Sequence, residues 1–430
     1  MDWKIDTVKV RGLVLLATLS LSSTVSQAEV KVDFSGFGTL GYAVSDKHYN
    51  YLTNIDNTGT FSQDSLLAGQ LDVQFTPKFS ATLQPQIEAD SSDDTGWEGN
   101  FAWAFLSYRP TNDWLLRAGM LRVPGYLNSE NRDVGVTYDY IRVPAEFDSL
   151  SPTYDFTGIS INRSFILSEG DLYLDAYYGE ANTDWRFFYR EDVGNEIKAG
   201  SFYFPIRLEL TGAALTFETQ EDAYIAGIHY AVSNNESEQF KWYEKPLYVE
   251  SNGVGFYTYQ GATPVDHQDV IIANIGADIA LRNDTRLAFE FAARRTIGNV
   301  TNGQNGYTGY VSLRKNIDKW TPYIFYSQIK TDSEETNFYN ALNNSSVPDA
   351  FPNSKVINAS QKAMADVYQC YDQYSVAIGT SYRLTPTSKL KAELMVSRIG
   401  DASSLVDVPK DTDIRNTNIG VFSLSYSFVF

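Results

Sequence analysis

The strongest constraint on how this chain can fold is a period of two. From Phe79 to Asp90, the residues Phe79, Ala81, Leu83, Pro85, Ile87 and Ala89 share one parity, and Ser80, Thr82, Gln84, Gln86, Glu88 and Asp90 share the other. Between Asp372 and Leu384, the residues Tyr374, Val376 and Ile378 alternate with Gln373, Ser375 and Ala377. At the C-terminus Phe422, Leu424, Tyr426, Phe428 and Phe430 oppose Ser423, Ser425 and Ser427. Alternation of this length marks a strand with one apolar and one polar face. Sixteen segments follow the rule: 30–44, 65–76, 78–90, 99–110, 114–123, 155–165, 171–179, 205–219, 223–231, 269–281, 285–296, 306–315, 320–330, 372–384, 389–399 and 418–430. Segments 99–110 and 320–330 are apolar on both faces, which leaves their parity open.

The connections carry a second pattern. Those after even-numbered strands are tiny and built of turn residues, such as Arg282-Asn283-Asp284 and Pro386-Thr387-Ser388. Those after odd-numbered strands are mostly long and polar: 45–64, 91–98, 124–154, 180–204, 232–268, 297–305, 331–371 and 400–417. An even strand count with short turns on one rim and long loops on the other predicts an all-β fold, a transmembrane antiparallel β-barrel of about 16 strands. Strands in lipid must pair every backbone group, so their sheet must close on itself, apolar face outward. A soluble sandwich would show the same alternation with its faces inverted. Three features favour the barrel: the alternating loop lengths, a chain that ends on its last strand, and aromatics near strand ends. These are Phe75, Phe79, Trp114, Tyr382 and Phe428, placed to suit a membrane–water interface.

The first 28 residues read as an address. Lys4, Lys9 and Arg11 precede the apolar run Gly12–Leu21, and Ser26-Gln27-Ala28 fits a cleavage site. This is the pattern of a secretory signal peptide, and its apolar run is too short to span a bilayer. The predicted mature chain, 29–430, is a single barrel domain. Removing a leader of net charge +1 from a chain of −19 leaves −20. That charge excludes a nucleic-acid partner, because phosphate binding needs a basic surface. One cysteine, Cys370, excludes an internal disulfide framework, and with three histidines it excludes a Cys/His zinc cage. No cofactor fingerprint is present, since no strand, Gly-rich turn and helix follow one another.

The chain resembles the Gram-negative porins, sixteen-stranded trimers of the general outer-membrane porin type. The resemblance rests on the opening strand Val32–Tyr42, on the hairpin from Leu106-Ser107-Tyr108-Arg109-Pro110 through Leu116-Arg117-Ala118-Gly119, and on the terminal Tyr426-Ser427-Phe428-Val429-Phe430, which looks like the family's assembly signal. It implies a homotrimer of water-filled barrels in outer-membrane lipid and lipopolysaccharide, passing small hydrophilic solutes and ions. It also implies a third loop folded into each pore as a constriction, here 124–154. Pro144-Ala145-Glu146-Phe147-Asp148 is similar to the Pro-Glu-Phe-Gly-Gly stretch of enteric members. Two departures stand out. The early strands carry Gln70, Gln74, Ser80, Thr82, Gln84 and Gln86 where enteric porins place arginines, with only Arg117 well placed. The second loop, 91–98, is short for a latch onto a neighbouring subunit.

Selectivity in a pore comes from its width and its lining charges. Loop 124–154 carries Glu130, Asp133, Asp139, Glu146 and Asp148 against Arg132 and Arg142, a net −3 that predicts a mild cation preference. Arg294, Arg314, Arg383 and Lys391 on later strands oppose it, and Asp171, Asp175, Asp278 and Glu290 support it. Loop charges that pair with one another or face bulk water are the alternative reading. Small outward residues on early strands, Gly36, Gly38, Gly69, Ala81, Ala102, Ala104 and Ala118, mark the expected subunit contact; plain lipid-facing composition is the other reading. Loops 232–268 and 331–371 narrow the mouth or meet outside ligands. Three other functions stay open. One is a substrate-specific channel for a carboxylate or oligosaccharide, for which Arg294, Arg314 and Arg383 form a thin track. Another is an outer-membrane enzyme, for which inward His229 lacks a serine placed by sequence. The third is a structural or adhesive barrel. Cys370 is either a reactive thiol or a bystander.

Overall fold

The computed structural model describes residues 30–237, 241–298 and 304–430; the leader expected at 1–28 lies outside them. Among the described residues sixteen strands close into one antiparallel barrel. They are β1 (Lys31–Ser45), β2 (Leu66–Thr76), β3 (Phe79–Ala89), β4 (Trp97–Tyr108), β5 (Trp114–Arg122), β6 (Asp155–Ile166), β7 (Asp171–Tyr189) and β8 (Gly200–Glu218). The second half comprises β9 (Ala223–Asn235), β10 (His267–Ala280), β11 (Thr285–Ile297), β12 (Gly306–Lys315), β13 (Trp320–Thr331), β14 (Tyr371–Thr385), β15 (Ser388–Ser403) and β16 (Asn418–Val429). Each strand pairs with its sequence neighbours, and β1 pairs with β16 to close the ring. Phe430 and Gly36 finish the seam by exchanging backbone hydrogen bonds of 2.9 and 3.0 Å.

Closure gives every barrel strand among the described residues two neighbours, and the faces sort as lipid requires. Leu83, Ile87, Ile159, Ile228, Ile275, Ile378 and Leu394 stand exposed on the outside, whereas the serines of β16 are buried inside. The short turns carry the strain a tight hairpin needs: Asn283 and Asp284 both adopt positive φ, 59° and 54°, between β10 and β11. At the rim Trp320 and Tyr382 lie 4.6 Å apart, and the Arg163 guanidinium sits 4.8 Å over Trp114 and 4.6 Å over Phe165. Such rings with a cation suit the interface. No helix among the described residues is long and apolar enough to cross a membrane.

The two segments of open parity resolve differently. In β13, Tyr323, Phe325 and Ile329 point inward and are buried, while Trp320, Ile324 and Tyr326 face out. In β4 a register shift opposite Gln84 and Pro85 turns Phe101 outward and brings Trp103 opposite the inward Gln84. Ala102, expected on the outer face, falls at this irregularity and is 1% exposed.

Three connections hold more structure than their polarity implied. The expected loop 180–204 is mostly strand: β7 and β8 stay in register from Asp171–Glu218 to Tyr189–Gly200. Above the lipid, the parity that faces outward lower down no longer needs apolar groups. Glu180, Asn182, Asp184 and Arg186 occupy it there, and the pattern fails. Loop 232–268 carries two small antiparallel sheets, Leu247–Ser251 with Val254–Thr258 and Trp242–Tyr243 with Pro264–Val265. Loop 331–371 carries the helices Ser333–Asn344 and Ser354–Asp366.

Candidate pore constriction

Loop 124–154 folds into the barrel and lies along one wall, from β10 round to β16 and β1. Apolar packing seats it at two places. Phe147 and Leu150 are buried among Val270, Ile272, Ala288, Ala292 and Tyr310. Tyr140 packs edge-on against Tyr323 and Phe325, at 5.2 and 6.0 Å between ring centroids. Polar groups fix the register. Glu146 is 0% exposed; Ser327 Oγ donates to it at 2.6 Å, Gln373 Nε2 at 2.6 Å, and Ser375 Oγ also donates. The sequence places Glu146 among the lumen charges, but its carboxylate faces the barrel wall. The buried hydroxyls and amide there need an acceptor, and the glutamate supplies one.

The other loop charges are mostly paired. Arg132 takes Asp148 through both terminal nitrogens at 3.2 Å and lies 3.3 Å over the Tyr154 ring. Asp133 meets Arg122 at 2.8 Å. Asp139 is held by Lys389 at 2.9 Å and Ser381 at 2.7 Å. Arg142 forms a fork on Asp64, with bonds of 2.7 and 2.6 Å, and reaches Ser423 at 3.1 Å. Arg117 bridges Glu130 at 3.3 Å with its guanidinium 5.3 Å from the centre of the Phe105 ring. Glu130 stays open to solvent, its side chain 65% exposed. The partners Asp64, Arg122 and Lys389 carried no sequence signal, since pairing across the barrel depends on the loop's path.

The later-strand arginines do not form a track. Arg294, at the long-loop end of β11, is 5% exposed and donates to the backbone carbonyls of Gln304 and Leu150. Arg314, near the short-turn end of β12, pairs with Asp278. Arg383 donates to the Asp318 carbonyl at 3.0 Å at the turn itself. Lys391 is buried under the loop and donates to the Tyr140 carbonyl at 2.6 Å.

The early strands present a hydrogen-bonded wall of amides and hydroxyls set around two carboxylates. Gln84 donates to Gln70 at 2.8 Å, and Thr82 and Gln70 each donate to Asp72 at 2.6 Å. Gln86 and Asn100 donate to Glu88 at 2.7 and 2.8 Å. Between this wall and the loop lies a polar cavity of about 470 Å³, where Asp64, Glu88, Asp133, Asp148 and Asp407 outnumber Arg132, Arg142 and Arg186. His229 closes the loop's root. Its Nδ1 is 2.9 Å from the Tyr177 hydroxyl and its Nε2 is 3.1 Å from Asn274 Oδ1, and Asn274 in turn donates to the Gly125 carbonyl.

The second loop latches onto its own chain. Asp94 takes Arg186 at 2.6 and 2.9 Å, and Arg186 also reaches Asp407 at 2.8 and 2.6 Å, joining three loops across the mouth. Burial pushes the Asp94 carboxyl up, but hydrogen bonds from Arg186, Ser201 and Tyr203 outweigh it and leave it below its ordinary value. Cys370 is buried, and burial pushes its thiol up to about 12, far from the thiolate range. No cluster of three or more metal-ligating side chains occurs among the described residues.

Barrel, inserted loop and apolar girdle together are those of an outer-membrane porin fold. No protein-family model and no curated protein matches the sequence. Solved structures match in shape. A loop L8 deletion mutant of OmpT, an outer membrane protein of Vibrio cholerae, has a TM-score of 0.52 at 12% identity, over 93% of this chain and 99% of that one. The anion-selective porin from Comamonas acidovorans has a TM-score of 0.50 at 10% identity, over 94% and 100%. In-vitro folded OmpT gives 0.50 at 11%, over 95% and 100%. The likeness is one of fold.

Proposed function

We propose that this protein is a water-filled diffusion channel of the outer membrane for small hydrophilic solutes and ions, with a mild preference for cations. The observation that carries the reading is the loop's placement. It is fastened to one wall by buried groups, and carboxylates outnumber arginines around the polar cavity it leaves. Excess negative charge in a narrow, low-dielectric passage raises the local concentration of cations. Glu130, exposed beside Arg117, is the loop carboxylate that acts on passing ions most directly. Glu146 acts as an anchor.

The working unit in this reading is a homotrimer in contact with lipid and lipopolysaccharide. An outer hollow of about 600 Å³ lined by Phe79, Leu106, Leu116, Ile159 and Tyr178 supports a contact on the early strands. Gly36 and Gly38 do not add to it, because the rings of Phe430 and Phe428 already cover them.

Planar-bilayer reconstitution of residues 29–430 tests the function. Stepwise conductance with a reversal potential of cation-selective sign is the expected result. Anion selectivity would overturn the charge argument, and a bilayer that stays silent would favour a structural barrel.

A further inference from the structure

The extracellular mouth holds a second cavity, of about 440 Å³, well within the range of small-ligand sites. The extended β7–β8 hairpin gives it Trp185, Phe187, Phe202 and Phe204, and loop 232–268 gives it Trp242 and Tyr243. These rings lie nearly parallel: Trp185 to Trp242 at 14° and 6.3 Å, Phe204 to Trp242 at 29° and 5.9 Å. The helix Ser354–Asp366 forms another wall; Arg190 ties it to the hairpin through Asp366 at 2.6 Å and also reaches Asn343 of the preceding helix at 2.9 Å. The site is thus formed before any ligand arrives. Its described lining contains no carboxylate, and its one ionic group is the exposed Lys241. Gln268, Gln304, Ser360 and Gln369 also line it, so a sugar is the competing occupant that the test must separate. The rings belong to one apolar cluster that descends through Leu208 and Tyr177 to Phe105. There the Arg117 guanidinium sits over the ring, beside the constriction.

We propose that this cavity captures a planar aromatic solute bearing a carboxylate, with the ring against Trp185, Trp242 and Phe204 and the anion at Lys241. The apolar wall then leads the solute down to Arg117. The inference rests on the channel reading and names a solute class for it. A bulk preference for small cations and capture of an aromatic acid coexist, because one arises from the field and the other from contact.

The test uses residues 29–430 in a planar bilayer with 2-naphthoate as probe. Reversible interruptions of the open current are expected. Trp242→Ala should raise the half-blocking concentration about tenfold. Lys241→Gln, at an exposed position, should raise it about threefold. The same lysine substitution should not change block by neutral 2-naphthylmethanol. A conducting channel that 2-naphthoate does not interrupt overturns the proposal, as does equal block in Trp242→Ala or interruption by maltotriose instead. Unchanged 2-naphthoate block in Lys241→Gln overturns the anionic class. If the protein does not conduct, the channel reading fails by itself, and tryptophan fluorescence then decides the cavity. Quenching by 2-naphthoate that Trp242→Ala weakens supports it; no quenching overturns it.

Discussion

The two walls of this barrel face the same lumen and are built on opposite principles. From β12 to β16 small hydroxyls recur on the inward face around the buried rings of Tyr323 and Phe325: Thr308, Ser312, Ser327, Ser375, Ser397 and Ser423 are each no more than 1% exposed. From β4 to β9 the inward face instead carries a large apolar cluster, with Leu208 and Ile206 buried among Phe105, Phe204 and Trp185, beside the polar Arg117 and His229. The polar wall is the one that water does not reach, because the inserted loop lies on it. The apolar wall is the one whose half-buried rings border the passage. A polar inward face in a barrel therefore does not identify the aqueous path. It can instead be a bed of donors for a loop that brings its own acceptors.

The contrast can be broken most severely at β13. Phe325 is 2% exposed beneath the loop, whereas Phe187 stands half-buried at the mouth. Phe325→Ala should cost about 3–5 kcal/mol, the range for emptying a closed aromatic site. Phe187→Ala should cost about 1 kcal/mol, since the site is partly open. Urea unfolding in detergent micelles measures both. Equal costs would mean that the loop does not seal its wall.

Next in size is the loop's polar anchor. Glu146→Ala would take the acceptor from buried Ser327 and leave Gln373 and Ser375 only their second partners, Tyr51 and Ser397, a loss of about 2–4 kcal/mol. Single-channel records should then show a noisy open level as the loop lifts. A quiet, unshifted conductance would mean that apolar packing alone holds it.

A smaller effect separates charges that anchor from charges that select. Glu130→Gln removes an exposed carboxylate and should lower the cation-to-anion permeability ratio about twofold. Glu146→Gln, which keeps the volume at a 0% exposed site, should leave reversal potentials where they were. Selectivity that follows Glu146 rather than Glu130 would reverse the assignment of the two residues.

Much of this architecture is legible in the amino-acid order, and the boundary of what is legible has a physical reason. All sixteen strands can be read because lipid enforces the outward parity residue by residue. Where lipid stops, the rule stops: Glu180 to Tyr189 is strand, yet its outward parity turns polar and its inward parity aromatic, so the alternation inverts. The helices of loop 331–371 are hidden for the same reason, since neither is required to meet lipid. Loop 124–154 is recognisable by its length and its place after the fifth strand. The fate of its charges is not, because whether Glu146 meets water or Ser327 is decided by a path across the barrel. Segment 320–330 does carry a clue. Its inner face is apolar, and Tyr140 covers it.

The smallest expected effect lies where the two walls meet at the mouth. Arg186, on the hairpin that extends the apolar wall, holds Asp94 of the second loop and Asp407 of the last. Asp94 titrates below its ordinary value of 3.8. A carboxylate lowered by folding adds stability above its unfolded pKa and loses it as pH falls through the folded one. The latch should therefore hold from neutral pH down past 3.8, and weaken only below that. Because Asp94 is partly exposed, solvent screening keeps the gain to a fraction of a kcal/mol. Conductance recorded between pH 7 and pH 4 should be flat in the wild type. Asp94→Asn should give, at every pH, the slightly looser mouth that the wild type reaches only in strong acid. A wild-type step near neutrality would place control of the mouth on some other group than this arginine and its two carboxylates.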